Sequence, residues 1–432
     1  MLGSALSAHT VEGRGFDCDW WRWEQRPGRI PQEANAAVAA DHYERFEADV
    51  DLARQFGLRA HLFTVEWSRI QPAPDTFDEP SIAHYEAVVD ALTARGIEPV
   101  CVLHHVTVPS WFAEQGGWSH PEAPDLFSRY AERMARHLGP KCRWWIPIHE
   151  PVYALSTGLI EGLWPPGLSQ PWHAARALRH VLHAHAKAYR AIHDHRADAL
   201  VGASLRARLF SPLDAYSAWD VRTARREGFR YNHLYLRALA EGRSLLLRRA
   251  DPHIARSVDF IGVSYRGSET VHFSAFRPLR LCAALTDPPG ARLPAPKPQP
   301  DARGFSRVLD ELGRYGLPIL VTGNGVATDD DGERCRFLLD HLGVVLDCLK
   351  KGIDIRGYLH YALLDGFEWH DGYTARYGLF HVDRETLVRT PNNSAYLYKD
   401  VCEHRELRPG AIERFCPGWR FEECGNGNDS GL

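Results

Sequence analysis

The sequence predicts an α/β protein built as a single (β/α)8 TIM barrel, on three observations. Short apolar runs alternate with amphipathic stretches of helical period eight times before about residue 400. Such alternation implies parallel strands joined by right-handed helical crossovers. Histidines, carboxylates and aromatics gather just after the apolar runs, at the strand ends where such barrels hold their chemistry. The chain has 432 residues, and 44% of them are apolar, enough for one large core. The barrel is expected over residues 1–404, with an irregular tail over 405–432.

Leu2–Ala8 reads as the first strand, and Asp17–Glu24 as an aromatic-rich loop. Asp41–Phe56 is helical because Tyr43, Phe46, Val50, Leu52 and Phe56 recur at roughly three- and four-residue steps before Gly57 stops them. His61–Trp67 is a strand, Ile82–Ala94 a helix closed by Gly96, and Pro99–His105 a strand ending in paired histidines. The helix Ala123–Leu138 precedes Gly139-Pro140. The apolar run from Trp145 then breaks off at His149-Glu150-Pro151, because proline lacks the N–H for further pairing.

In the second half, Trp172–His195 is a long helix, Leu200–Leu205 a strand, and Ala218–Ala240 helical with a break at Gly228. Val258–Tyr265 and Pro318–Thr322 are strands, the latter with proline in the tolerated first position. The helix Arg334–Lys350 and the strand Gly357–Leu364 complete the set. Residues 283–302 are dense in proline and read as a mobile loop, a lid or a solvated excursion.

Net charge is −4 with scattered basic residues, which argues against nucleic acid as partner. No apolar run is long enough for a membrane span. The first residues show neither the basic region nor the apolar stretch of a signal peptide. The nine cysteines lack metal-ligand spacing and read as reduced thiols, with Cys416 and Cys424 as the pair to check for a disulfide. The expected location is the cytoplasm. The expected partner is a sugar-like or oxygenated small molecule, suited to aromatic faces beside polar groups, and no cofactor or metal is expected.

Four motifs carry a resemblance. They are Phe63-Thr-Val-Glu-Trp-Ser-Arg-Ile70, Leu103-His-His-Val-Thr-Val-Pro-Ser-Trp111, Ile148-His-Glu-Pro151, and Leu363-Leu-Asp-Gly-Phe-Glu-Trp369 followed by Tyr377-Gly-Leu. They resemble the F-S-I-E-W-S-R-I, L-H-H-F-T-L-P-L-W, x-N-E-P and strand-eight signatures of glycoside hydrolase family 1, the β-glucosidase family. The resemblance runs to about residue 402. It implies a retaining glycosidase with two glutamates, one protonating the leaving oxygen and one attacking the anomeric carbon from about 5 Å away.

Glu150 matches the acid/base glutamate. The nucleophile belongs to a T-E-N-G motif, and here the segment reads Val321-Thr322-Gly323-Asn324-Gly325, so the position is Gly323, without a side chain. Neighbours differ with it. The arginine beside the family's nucleophile corresponds to Leu62, and the tyrosine that donates to that nucleophile corresponds to Arg266. The asparagine two residues before that tyrosine corresponds to Ser264. The asparagine before the acid corresponds to His149, the sugar-gripping glutamine to Thr10, and the tryptophan platform to Tyr361. His105, Glu150, Glu368 and Trp369 match.

The expectation is an enzyme with a repurposed pocket, acting on a glycoside-like or secondary-metabolite molecule without a glycosyl-enzyme. Glu150 would be a general acid or base, its burial raising its pKa, with His149 as a participant or a structural neighbour. Substrate contacts are expected from His105, Arg266, Tyr265, Tyr361, Glu368, Trp369 and Thr10. A non-retaining or substrate-assisted glycosidase, a catalytically silent carbohydrate-binding protein and a deliberately nucleophile-depleted glycosidase are the alternatives.

Overall fold

The computed structural model describes residues 1–244, 246, 250–277, 280, 282–286 and 301–420. In chain order the first strands are β1 (Leu2–Ala5), β2 (Ala60–Thr64), β3 (Glu98–Val102), β4 (Trp144–Ile146), β5 (Leu200–Pro212) and β6 (Phe260–Phe273). A short β7 (Ala283–Thr286) follows, then β8 (Ile319–Asn324) and β9 (Ile355–Tyr361). The order is β5-β4-β3-β2-β1-β9-β8-β6, and a parallel β5–β6 pairing closes the ring. Eight parallel strands therefore form the expected barrel. In this sheet β7 runs antiparallel, laid on the outer half of β6.

The helices that cover the barrel follow from their sequences. Ala123–Leu138 buries Leu126, Phe127, Tyr130, Met134 and Leu138, a stripe at three- and four-residue spacing. Glu79–Ala94 begins where the Asp78 side chain accepts from the Ser81 amide, with a proline in its first turn. Tyr398, on the last barrel helix, fastens the closure: its hydroxyl accepts from the Gly3 amide and donates toward the Gly3 and Tyr358 carbonyls.

Several expectations are corrected. The aromatic loop at Asp17–Glu24 contains a helix, Asp19–Glu24, whose Trp20 and Trp23 are buried. The stretch 218–240 breaks at His233, between the helices Ala218–Asn232 and Leu234–Glu241, and not at Gly228, which sits inside a helix with open space around it. The strands β5 and β6 run seven and eight residues past their expected ends at Leu205 and Tyr265, pairing with each other beyond the barrel. Of the proline-dense stretch, Ala283–Thr286 is strand and Ala302 opens the helix Ala302–Gly313; residues 287–300 lie outside the described residues. The tail is not wholly irregular: Pro409–Phe415 is a helix, and its Ala411 packs with Cys335, Leu339 and Leu397. Cys416 is a free thiol, and Cys424 lies outside the described residues.

Candidate active site

The strand β4 ends at Ile146, three residues before His149. Glu150 then takes a left-handed backbone, φ 49°, and Pro151 opens the helix Pro151–Leu159 in the first-turn position that proline suits. Proline thus ends the strand segment by starting a helix. The turn also decides the place of His149. Neighbours along a strand face opposite sides, but the chain has left the strand here, and both His149 and Glu150 line one cavity at the C-terminal mouth of the barrel. His149 Nδ1 bonds the Ser204 hydroxyl at 2.8 Å, and its Nε2 stands 3.5 Å from Glu150 Oε1. His105 comes from the loop after β3, bonded through Nδ1 to Ser7 Oγ at 2.9 Å, with its ring edge-on to His149 at 4.6 Å.

The opposite wall comes from β6, β8 and β9. A register shift in β8 turns both Thr322 and Gly323 toward the cavity. A β-carbon on Gly323 would lie 3.2 Å from Ser264 Oγ and 3.8 Å from Tyr361 Cβ. Arg266 stacks on two tyrosines, 4.1 Å from the Tyr361 ring centre and 4.5 Å from that of Tyr377. Its Nε and Nη1 are buried without a hydrogen-bond partner. The Tyr361 hydroxyl donates to the Glu368 carboxylate, at 2.9 and 3.0 Å from its two oxygens. Trp369 stacks on His9 and meets the edge of His105.

Eight expected residues therefore meet: Glu150, His149, His105, Arg266, Tyr361, Glu368, Trp369 and the bare position Gly323. Two do not. Tyr265 points outward from β6 and stacks on Phe305 at 5.1 Å. Thr10 is buried in the helical turn Ala8–Val11, where its hydroxyl donates to the Ser7 carbonyl. The residue that the sequence reading missed is Arg206 on β5. Its Nη1 lies 3.4 Å from Glu150 Oε2, and its guanidinium stacks 4.0 Å from the Tyr153 ring centre. The signal was present: Ser204, Arg206 and Arg208 alternate with Leu205, Ala207 and Leu209, a strand pattern that continues past Leu205. Tyr153, Trp164 and Tyr377 complete the aromatic lining.

The electrostatics overturn the expected state of the acid. Glu150 is 4% exposed, and burial alone would raise its pKa. The opposing charge of Arg206, helped by that of Arg266, wins and holds the carboxyl well below the usual range. Glu150 is therefore ionised at neutral pH. Burial keeps His105 and His149 neutral by lowering both of their pKa values. Burial pushes the Glu368 carboxyl up to about 7, against the pull of Arg266. Among the described residues, the carboxylates lining the cavity are Glu150, Glu368 and Asp371, so none takes the place next to Gly323. The enclosed space is small, about 50 Å³.

Residues 1–407 match the family model described as Glycosyl hydrolase family 1. The chain belongs to glycosyl hydrolase family 1. It is 27% identical to β-glucosidase A of Thermotoga maritima over 94% of this chain and 97% of that one. It is 28% identical to a β-glucosidase of an Agrobacterium species, covering 92% and 93%. Among solved structures, a β-glycosidase from Pyrococcus horikoshii superposes with a TM-score of 0.88 at 30% identity, covering 96% of both chains. The Thermotoga maritima β-glucosidase in complex with glucoimidazole superposes at 0.87 and 25% identity, covering 93% and 97%. As a family 1 chain, the protein places its cavity at the strand ends that the barrel architecture reserves for chemistry.

Proposed function

We propose that this family 1 chain is an enzyme with a reworked pocket, in which Glu150 handles a proton and two arginines bind an anionic group of a small glycoside-like or secondary-metabolite substrate. The observation that carries this reading is the pairing of Arg206 with buried Glu150, in a cavity where Arg266 keeps unpartnered donors and Gly323 offers no carboxylate. A guanidinium with free N–H groups in a buried site recognises carboxylate, sulfate or phosphate oxygens. A substrate anion that pairs with Arg266 and Arg206 weakens the field on Glu150. Burial then raises the carboxyl toward neutrality, where it can accept a proton from a substrate hydroxyl, a water or an acidic C–H and return it. No bond forms between substrate carbon and protein, since Gly323 has nothing to attack with. The 50 Å³ space, far below the roughly 300 Å³ at the low end of ligand pockets, suits the anionic head and not a whole sugar ring.

The test has two arms. Calorimetric titration with sulfate and with benzoate is expected to show binding that Arg266→Met weakens about 10–100-fold, the worth of a charged hydrogen bond. Turnover is then sought across neutral and anionic aryl β-glycosides with anomer-resolved NMR. Conversion is expected for anionic substrates only, and Glu150→Gln is expected to abolish it. Equal turnover of 4-nitrophenyl β-D-glucoside by wild type and Glu150→Gln would overturn the reading. The small cavity favours one other reading, a silent binding protein, which tight anion binding without any conversion would support.

A further inference from the structure

A second chamber lies beside the first, between the loop 104–119 after β3, the helix Asp19–Glu24 and the helix Pro151–Leu159. Its volume is about 450 Å³, within the range of small-molecule sites and about nine times that of the cavity around Glu150. Val106, Val108, Trp118, Leu155 and Leu159 make its walls largely apolar, and Trp164 borders both spaces. Val106 sits at φ 68°, a left-handed backbone that β-branched residues avoid. Such strain gathers at sites that bind or switch.

Three polar side chains in this lining carry buried atoms without partners: His104, Ser110 and, at Nδ1, His173. Neither ring nitrogen of His104 has a hydrogen bond, although the residue is 4% exposed, and Ser110 Oγ is likewise buried and unpaired. Buried polar groups are nearly always satisfied, so each exception calls for a partner. The rings of Trp118, Trp67 and Phe127 pack roughly perpendicular to the His104 ring.

We infer that this chamber binds a neutral, mainly apolar molecule carrying a hydroxyl group, with His104 and Ser110 as its polar anchors. A neutral imidazole offers one donor and one acceptor, which a hydroxyl matches and a carboxylate does not. Burial drives the His104 pKa down to about 3, so the ring stays neutral at any physiological pH. Of the two arginines at the rim, Arg22 is paired with Glu114 and Arg26 lies over the Trp23 ring, 5.2 Å from its centre, while Asp19 faces the same space. An aromatic or alkyl body of two rings fits the volume and the walls. The inference is independent of the reading of the Glu150 cavity.

The probe is 2-naphthol, with naphthalene as the partner lacking the hydroxyl. Titration followed by tryptophan fluorescence and by calorimetry is expected to show one site. Ala154→Trp on the helix Pro151–Leu159 and Ala113→Trp on the short helix Ser110–Glu114 fill the chamber from two sides, and each is expected to weaken binding more than tenfold. Circular dichroism identifies any variant that fails to fold, and the other then decides. His104→Phe is expected to weaken 2-naphthol about tenfold and leave naphthalene unchanged. No 2-naphthol binding by wild type, or unchanged binding in a folded filled variant, overturns the assignment; an equal loss for both probes in His104→Phe removes the polar anchor.

Discussion

Replacing Arg206 with methionine keeps an unbranched apolar stem and removes the cation 3.4 Å from Glu150 Oε2. Glu150 is then a buried carboxylate without its main counter-charge. Removing one member of a buried ion pair costs about 3–5 kcal/mol, because the remaining charge is stranded. The sign depends on pH. In the native protein the Glu150 pKa is depressed, so its contribution to stability is present above the ordinary glutamate pKa and is lost only as pH falls through the lower folded value. In Arg206→Met burial dominates and the folded pKa lies above the unfolded one. The variant is then least penalised at pH 4, where Glu150 is protonated in the folded state and largely so in the unfolded chain, and most penalised at pH 7–8. The assay is urea denaturation at both pH values for wild type, Arg206→Met, Glu150→Gln and the double variant. The double variant is expected to recover most of the loss at pH 7, since no charge is stranded. A penalty below about 1 kcal/mol at pH 7, or one that does not change between pH 4 and 8, would refute the assignment of Arg206 as the group that holds Glu150 ionised.

Further outcomes follow from the same geometry. Gly323→Glu is expected to fold with a modest loss, because its β-carbon meets Ser264 Oγ at 3.2 Å, and to leave 4-nitrophenyl β-D-glucoside untouched in a release assay, since Arg266 is there to pair with the new carboxylate. Glu368→Gln keeps an acceptor for the Tyr361 hydroxyl and removes a carboxyl whose pKa is raised to about 7. The wild-type group gives full stability below pH 4.5 and loses it as pH rises through 7, so the variant is expected to gain up to about 3 kcal/mol at pH 8 and little at pH 4 in thermal melts. Gly325→Ala is expected to prevent soluble expression, since its β-carbon would lie 1.8 Å from the Tyr361 carbonyl oxygen.

The barrel was legible because parallel strands covered on both faces read as continuous apolar runs, as in Pro99–Leu103 and Ile319–Val321. The outer halves of β5 and β6 were not, because outside the barrel one face is wet and the runs become alternating. That is why Arg206, one residue past the expected end of its strand, went unseen. Alternation also explains the error at Tyr265. Ser264 and Arg266 flank it on β6 and both line the cavity, so the residues on either side of one position cannot share a face with it. The same rule misleads at His149 and Glu150, where the backbone has left the strand for a left-handed turn. No pattern of residue types reveals that turn. The pKa of Glu150 was out of reach for a related reason: its sign is set by Arg206, which is 56 residues away in the chain.

The charge of the pocket yields one more consequence. Arg206 and Arg266 face Glu150, which is ionised, and Glu368, which titrates near 7. His105 and His149 stay neutral through burial, and Asp371 stands at the mouth 3.7 Å from His370. Above pH 8 the two inner carboxylates balance the two guanidinium groups. As pH falls through 7, Glu368 takes up a proton, and the inner cavity gains one net positive charge while Glu150 remains ionised. Sulfate keeps its charge over this range, so its affinity reports the protein alone. Calorimetry is expected to show sulfate binding severalfold tighter at pH 6 than at pH 8, at constant ionic strength so that screening does not vary. Glu368→Gln is expected to bind as the wild type does at pH 6 and to show no change with pH. If wild-type affinity is flat from pH 6 to 8, Glu368 does not govern the charge of this cavity. If Glu368→Gln still binds sulfate more tightly as pH falls, Glu150 is taking up the proton and the hold of Arg206 on it is weaker than the 3.4 Å contact implies.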